Sequence, residues 1–253
     1  MVAIIESLSG LDADVIGLQE VAQTASIPNQ AETIGAALGL HVAVHPQPMR
    51  NGKGGDCTGT AILSRFPVTS CKWLPLPVSD NVRGVECAVL RHPLGALQVF
   101  CTHLNCRPDD HDRRGKQVLA LDDMVGASPG DMPKIVIGDF NAEPESEEIR
   151  FLTGRSSLEG RRVCYLDAYA AGNGGEVVNS AGATWSDANP FAAPSGQGNR
   201  RIDYIFLSGR LRGEGVDRVR SARVVCDRAG SNGVFPSDHF GVLADLDFDG
   251  SWT

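Results

Sequence analysis

The sequence lacks several features that would assign it to a common class. No stretch approaches the roughly 20 consecutive apolar residues that a membrane-spanning helix requires. The first residues, MVAIIE, carry no basic segment and lead to no small-residue cleavage site, so they do not resemble a secretory signal. The P-loop pattern Gly-x-x-x-x-Gly-Lys-Ser/Thr does not occur. We therefore expect no secretion, no transmembrane segment and no P-loop nucleotide site.

The cysteines form no pattern typical of a disulfide framework or a zinc ribbon. There are 7 of them, irregularly spaced and without a Cys-x-x-Cys pair. The sequence CTHLNC at residues 101–106 gathers three zinc-ligand types, but nothing nearby supplies a fourth convergent ligand. We interpret the cysteines as buried structural thiols and predict a cytoplasmic protein.

Positive charge and aromatic side chains are also scarce. Lys and Arg total 23 against 31 Asp and Glu, the net charge is -8, and aromatic residues make up 6% of the chain. This composition argues against a generic polyanion binder, so nucleic-acid binding would need a local basic patch. Trp185 and Phe191 could stack on a substrate or anchor their loop. Eight basic residues are candidates for lining a basic cleft, although most of them are better explained as surface charges. They are Arg50, Lys53, Arg83, Arg107, Arg113, Arg114, Arg200 and Arg201.

The chain has the length and apolar content of one large domain. Its 253 residues are 42% hydrophobic, and no shift of composition divides residues 1–253. Hydrophobic periodicity predicts helices over residues 1–12, 31–40 and 112–125, and loops over 45–59 and 172–200. Short apolar runs predict strands at 14–20, 60–63, 85–91, 96–102, 134–138, 202–207 and 242–248, with a hairpin turn at 92–95. Strands interleaved with few helices predict an α/β or α+β layered domain with mixed or antiparallel sheets.

Five segments place polar side chains at or beside the end of a predicted apolar strand. Burying a carboxylate there is costly unless it is paired, hydrogen-bonded or bound to metal. Taken singly, each has another explanation: Asp203 could pair with a neighbouring arginine, and His103 could be a core histidine. One shared site explains all five segments most economically. The residues concerned are Glu20, His103, Asn105, Asp139, Asn141, Asp203, Asp238 and His239.

These side chains favour metal-assisted phosphoester hydrolysis. Carboxylate and amide oxygens are hard ligands that suit Mg²⁺ or Mn²⁺. In such chemistry the cation neutralises phosphate charge, a base deprotonates water, and imidazole or amide donors stabilise the transition state. An aspartate beside a histidine can orient that histidine as the base.

Other polar residues have structural interpretations. Glu147 and Glu148 follow a predicted helix cap at Ser146, and helix electrostatics explains both. The remaining histidines have no acidic partner at an informative spacing, so we interpret them as surface residues. They are His41, His45, His92 and His111.

Six segments, taken in order, resemble the endonuclease/exonuclease/phosphatase family. They are DVIGLQEV at 14–21, AILSRFP at 61–67, THL at 102–104, GDFN at 138–141, RIDYI at 201–205 and SDH at 237–239. The resemblance spans nearly the whole chain. It implies a deoxyribonuclease I-like four-layer sandwich, in which two packed mixed β-sheets are flanked by helices. It also implies a phosphodiesterase or phosphatase that depends on Mg²⁺ or Mn²⁺.

The resemblance implies roles for the matching residues in metal binding and proton transfer. Glu20 corresponds to the principal metal ligand, and Asp238 closes the site as a further acidic ligand. His239 corresponds to the base, and Asp203 to the residue that orients a histidine.

The remaining roles concern water and phosphate. Asp139 and Asn141 correspond to the pair that orients the nucleophilic water and the scissile phosphate. His103 corresponds to a histidine that contacts phosphate or acts as an acid. We add three candidate substrate-binding residues: Arg83, Asn105 and Arg201.

One departure from the family pattern concerns the metal site. Family members normally begin with a strand ending in a metal-binding asparagine, and residues 1–11 already correspond to the helix after it. Gln19 is no substitute, because it should point to the opposite face of its strand from Glu20. Two hypotheses follow. Either the start is misassigned or truncated and a longer protein is active, or the chain is a degenerate, non-catalytic phosphate-binding module.

The substrate class also stays open between alternatives. One is a nuclease acting on DNA or RNA, and the other is an enzyme acting on a small-molecule or lipid-headgroup phosphoester. The acidic balance and low aromatic content give little support for an extended nucleic-acid surface, although a cleft can be basic locally.

Overall fold

The computed structural model describes residues 1–49, 55–79, 82–129, 132–175, 182–208 and 218–248. The helices are α1 Val2–Ser9, α2 Gln30–Leu38, α3 His111–Gly126, α4 Glu147–Leu152 and α5 Ala168–Gly172, with a 3₁₀ turn at Ala193–Ser195. The first strands are β1 Val15–Leu18, β2 His41–Val44, β3 Gln47–Pro48, β4 Cys57–Thr58, β5 Ala61–Ser64 and β6 Val68–Pro75. They are followed by β7 Gly84–His92, β8 Gly95–His103, β9 Lys134–Asp139, β10 Leu166–Asp167, β11 Asp203–Ser208, β12 Val219–Val225 and β13 Gly241–Leu246.

The largest sheet is mixed, and its central strand is buried on both faces. Its order is β10-β11-β9-β8-β7-β6. Strands β8 and β9 are parallel, and the other neighbours are antiparallel. All residues of β9 are buried, as expected of an apolar run between two packed faces. The predicted hairpin between β7 and β8 is confirmed, with His92 opposite Gly95.

Two smaller sheets lie against the large one. Strands β1-β5-β2 form one antiparallel sheet, and β12-β13 form another. Within the residues that the structure describes, β1 pairs only with β5 and β13 pairs only with β12. Residues of both β1 and β13 line a single cleft of about 490 Å³. One open edge of each small sheet therefore borders the same cleft.

Three apolar layers hold the elements together. Phe100 in β8 belongs to a cluster with Val118 of α3 and Phe151 near the end of α4. Another cluster joins β5 of the small sheet to β8 and β9 of the large sheet. The third packs α1 and α2 against the outer face of the β1-β5-β2 sheet. The result is the expected mixed α/β sandwich, with packed sheets between outer helices.

The structure corrects several local expectations. The predicted loop at 45–59 contains the hairpin β3–β4, while Arg50 and Lys53 lie outside the described residues. Cys71 and Cys106 are exposed, so the prediction of uniformly buried thiols is wrong for these two. Glu148 is buried in an ion pair with Arg114, whose Nε lies 2.8 Å from Glu148 Oε1. Its role is therefore not limited to the electrostatics of the helix N-terminus. None of the described helices is long and apolar enough to cross a bilayer.

Candidate active site

Three strand ends meet at one edge of the large sheet. Because β8 and β9 are parallel and in register, His103 at the end of β8 lies beside Asp139 at the end of β9. Because β11 is antiparallel to β9, its first residue, Asp203, pairs with Asp139 on the other side. The strand order β11-β9-β8 therefore brings together side chains that are far apart in the sequence.

Gly138 allows β8 and β9 to approach at this edge. Its φ is +149°, and a Cβ atom there would lie 2.0 Å from the carbonyl oxygen of Thr102. Such a contact is impossible without backbone movement, so the glycine of the GDFN segment has a steric requirement. The next residue, Asp139, is thereby held at the sheet edge.

Asp139 is held by hydrogen bonds from its own segment. The backbone N–H of Asn141 donates to Asp139 Oδ1 at 2.8 Å, and Asn141 Nδ2 donates to Oδ2 at 3.1 Å. Asn141 adopts a left-handed backbone with φ of 51°, an uncommon conformation that asparagine tolerates. Burial by itself raises the pKa of Asp139, but its interactions with His103 and His239 and the hydrogen bond from the backbone of Asn141 hold that pKa below its ordinary value.

His103 is buried between the carboxylate of Asp139 and the guanidinium of Arg83. Its Nε2 lies 3.2 Å from Asp139 Oδ2, and Arg83 Nη1 lies 2.7 Å from its Nδ1. A guanidinium only donates hydrogen bonds, so Nδ1 accepts and the ring proton is assigned to Nε2, facing Asp139. Glu20 Oε1 lies 3.8 Å from the same Nδ1. Arg83 is therefore in direct contact with His103 at the end of β8.

His239 forms the second half of the cluster. Its Nδ1 is 2.9 Å from Asp203 Oδ2, and its Nε2 is 3.9 Å from Asp139 Oδ2. Burial by itself lowers the pKa of His239, but the negative charges of Asp203, Asp139 and Asp238 outweigh it and raise that pKa to about 10. Burial raises the pKa of Asp203 despite the nearby imidazole. The pairing of Asp203 with an arginine, considered from the sequence, is not the arrangement found.

The segment from 182 to 200 supports this histidine. The Trp185 ring, a candidate from the sequence, packs edge-on against His239 with centroids 4.9 Å apart, whereas Phe191 is exposed. Two further residues were not predicted. Thr184 Oγ1 accepts the backbone N–H of Asp203 at 3.2 Å, and Asn189, fully buried, donates to the carbonyl oxygens of Ser237 and Asp238. For these two, the only signal in the sequence was the length of the loop.

Glu20 and Asp238 lie at the accessible part of the cleft. The Glu20 side chain is 71% exposed, and its φ of 55° is a strained value for a non-glycine residue. Asp238 is exposed, and its Oδ1 accepts a hydrogen bond from Ser237 Oγ. Both line the cleft together with His103, Asp139, Asn141, Asp203 and His239.

Two expected substrate-binding residues are not brought to the cluster. Arg201 is 1% exposed and pairs with both carboxylate oxygens of Asp167, so it is a structural ion pair. Asn105 is buried, with Nδ2 donating to Asp110 and Oδ1 accepting from Gln117. Both expectations are corrected, because both side chains are buried and their hydrogen bonds run to other parts of the protein.

Comparison with known proteins assigns the family. A sequence profile described as the endonuclease/exonuclease/phosphatase family matches residues 1–239. The chain belongs to this family. No protein of curated function matches it.

Solved structures show that the family's fold is shared over nearly the whole chain. D. rerio TDP2 complexed with single-strand DNA product has a TM-score of 0.70 at 19% identity, covering 95% of this chain and 88% of that one. A family protein from Leptotrichia buccalis has a TM-score of 0.68 at 19% identity, with 96% and 91% covered. The human Nocturnin catalytic domain with bound sulfate has a TM-score of 0.65 at 20% identity, with 97% and 84% covered. These likenesses establish the fold alone.

The residues of this family member suit the divalent cation on which the family generally depends. Asp139, Asp203 and His239 each offer a ligand atom, and these atoms lie within 4.8 Å of one another. Glu20 adds a further carboxylate at the cleft. A set dominated by carboxylate oxygens fits a hard cation such as Mg²⁺ or Mn²⁺.

Proposed function

We propose that this protein is a divalent-metal-dependent phosphoester hydrolase, a phosphodiesterase or phosphatase, in which His239 activates water. The observation that carries the proposal is the Asp203–His239 contact of 2.9 Å at the edge of the sheet, beside Asp139. An imidazole held by a carboxylate on Nδ1 presents Nε2 to the cleft as its second proton-transfer atom. This is the arrangement that a general base requires.

Asp203 positions the base in this proposal. Its carboxylate accepts the Nδ1 proton of His239 and fixes the ring, while Trp185 limits movement from one side. Three carboxylates raise the pKa of His239, so without a cation the ring is protonated near neutral pH and cannot accept a proton. Positive charge bound among those carboxylates opposes that effect. In this proposal the pKa of His239 is therefore lower when the cation is bound, so that the imidazole can act as a base.

Asp139, Asn141 and His103 act on water and phosphate. Asn141 fixes both carboxylate oxygens of Asp139, which orients them toward the groups in the cleft. His103 places its Nε2 donor beside that carboxylate, and Arg83 donates to the other ring nitrogen of His103. Donors of this kind stabilise charge that develops on a phosphoryl group. Arg83 is the substrate-binding residue that the geometry favours.

Glu20 and Asp238 are the proposed metal ligands, with Mg²⁺ or Mn²⁺ as the cation. When bound, the cation supplies Lewis-acid neutralisation of the phosphate. Glu20→Gln should abolish stimulation by Mg²⁺ while leaving the circular dichroism spectrum unchanged, because the side chain is exposed. Full stimulation of the variant would remove Glu20 from the proposed ligand set.

The substrate is proposed within two classes, and one panel separates them. A net charge of -8 favours a small-molecule or lipid-headgroup ester, whereas the DNA product bound by a protein of the same fold favours a nuclease. Plasmid DNA, single-stranded RNA, sphingomyelin and inositol phosphates should be compared with and without Mg²⁺. Activity on monoesters alone would remove the nuclease alternative.

The cleft between β1 and β13 bears on whether this polypeptide is active. An additional strand between their open edges would join the two small sheets into one. This supports the hypothesis that the active protein carries a strand ahead of α1. The residues encoded upstream should then form a strand ending in asparagine and increase Mg²⁺-dependent turnover. Absence of an upstream reading frame would count against it, and robust activity of the present chain would exclude the degenerate module.

The cytoplasmic location is proposed from the cysteines. All 7 cysteines are free of disulfide bonds, including the exposed Cys71 and Cys106. Free thiols are typical of proteins in a reducing compartment. Recovery of the tagged protein in a membrane or secreted fraction would contradict this location.

A further inference from the structure

His45, Cys71 and Glu86 form a second cluster of ligand-type side chains. Cys71 in β6 lies opposite Ala88, and Glu86 in β7 lies opposite Trp73, so alternation puts the cysteine and the glutamate on one face. His45, just after β2, approaches that face: its Nδ1 is 2.7 Å from Glu86 Oε1. The sequence-based view of His45 as a surface residue without an acidic partner is wrong.

The three side chains are close enough to share one ion. Each offers a ligand atom, and these atoms lie within 4.8 Å of one another. The backbone N–H of His45 also donates to Glu86 Oε2 at 3.1 Å. Both oxygens of the glutamate are thus directed toward the segment after β2, and the cluster links the small sheet to the large one.

Within the residues that the structure describes, Glu86 is paired with an imidazole and not with an arginine, as Glu148 and Asp167 are. Its side chain is completely buried, and burial raises its pKa. Elsewhere in the described structure, Glu148 pairs with Arg114 and Asp167 pairs with Arg201. The ion-pair partner found for Glu86 is His45, which carries charge only when protonated. A buried carboxylate is costly without a permanent positive charge, and a bound cation would supply one.

The donor types identify the class of cation. An imidazole nitrogen, a thiol sulfur and a carboxylate oxygen suit zinc, whereas Mg²⁺ prefers oxygen ligands alone. Three protein ligands would leave a fourth position of a zinc tetrahedron for water. Cys71 is exposed and His45 is partly exposed, so an ion can enter from solvent.

We propose that His45, Cys71 and Glu86 bind a Zn²⁺ ion, at a site separate from the catalytic cleft. The ion connects the segment after β2 to strands β6 and β7, so it clamps the small sheet to the large sheet.

Cobalt substitution tests this proposal. The chelator-treated protein is titrated with Co²⁺ in the presence of excess Mg²⁺, which occupies oxygen-rich sites. We expect one Co²⁺ to bind with a thiolate-to-cobalt charge-transfer absorption, and Zn²⁺ to displace it. Cys71→Ser should remove the absorption. It should also weaken Zn²⁺ binding by more than the about 10- to 100-fold that loss of an outer-sphere partner causes.

Cys106→Ser is the matched control, because Cys106 is also exposed but lines the catalytic cleft. It should retain the absorption. His45→Ala should weaken Co²⁺ binding while the native circular dichroism spectrum persists, which separates ligand loss from unfolding. No absorption in the wild type, its persistence in Cys71→Ser, or its loss in Cys106→Ser would each overturn the proposal.

Discussion

Two ion pairs inside the protein, Arg201 with Asp167 and Arg114 with Glu148, are buried about as deeply as Asp139 and more deeply than Asp203. Their charges are balanced differently from those of the proposed catalytic cluster, which consists of Asp139, Asp203, His103 and His239. Each structural carboxylate has an arginine at 2.7 to 2.8 Å. At the sheet edge, Asp139 and Asp203 instead share two histidines, whose charge depends on pH. Each structural pair matches one negative charge with one permanent positive charge, whereas the proposed catalytic cluster carries negative charge that a proton or a cation must offset.

This difference separates stability from function. A carboxylate with a permanent positive partner has its pKa and position determined by the fold. Where several carboxylates lie together with fewer permanent positive charges, they shift the pKa values of neighbouring side chains and can bind a metal ion. Substitutions in the proposed catalytic cluster should therefore reduce turnover, whereas substitutions at a structural pair should reduce stability.

The largest expected effect is on turnover at the catalytic cluster. His239→Ala and Asp139→Asn should each reduce turnover by about 10²- to 10⁴-fold, because a base and a water-orienting group act in the chemical step. The fold should be retained, as judged by circular dichroism and urea unfolding. Near-normal turnover in either variant would mean that its role is wrongly assigned.

The next effect is on stability at a structural pair. Arg201→Met should lower the free energy of unfolding by about 3–5 kcal/mol, because it leaves Asp167 buried without a partner. Activity per folded molecule should be unchanged.

The control is the double variant Arg201→Met with Asp167→Leu. It should recover much of that free energy, because no unpaired charge remains. If Arg201→Met instead reduced turnover at full stability, the arginine would belong to the catalytic group and the comparison would fail.

A smaller effect is the pH dependence of the metal-free protein. The folded-state pKa of His239, about 10, lies above its ordinary value of 6.5. Its contribution to stability is therefore fully present below pH 6.5 and is lost as the pH rises toward 10. In chelator, urea unfolding should show this loss in the wild type and not in His239→Gln.

Addition of Mg²⁺ should shift the His239 titration to lower pH, measured by NMR of the imidazole, because the cation opposes the carboxylate charge. An unchanged titration at saturating Mg²⁺ would argue against a cation bound within this cluster.

The smallest effect should come from an exposed ion pair. Arg65 contacts Asp12 and Asp14, and the three side chains are 47% to 88% exposed. Arg65→Ala should cause only a small loss in the free energy of unfolding, because solvent screens such pairs. Turnover should not change. A larger loss would show that burial does not distinguish the charge pairs of this molecule.

The sequence predicted most of the fold because hydrophobic period and turn residues are local signals. Strands β7, β8 and β9 and helix α3 lie within a few residues of their predicted bounds. The site was predictable to the extent that its residues stand at the ends of apolar strands, as His103, Asp139 and Asp203 do. Their proximity depends on strand order, which no local signal in the sequence specifies.

The incorrect predictions about Arg201 and His45 have a common cause: their contacts are made with residues far away in the sequence. Arg201 and Asp203 are two residues apart, yet the first pairs inside the protein with Asp167 while the second reaches His239. Nothing local distinguishes them. His45 and Glu86 are 41 residues apart, and only the packing of the small sheet on the large one brings them into contact.

The most direct test of metal-assisted hydrolysis is the initial rate on the ester panel as a function of Mg²⁺ concentration, for the wild type and Asp139→Asn. We expect no rate in chelator, a saturable rise with Mg²⁺ in the wild type, and a rise reduced by about 10²-fold or more in the variant. Hydrolysis that is insensitive to chelator, or no Mg²⁺-stimulated hydrolysis of any ester, would contradict it. The second result would favour a phosphate-binding module.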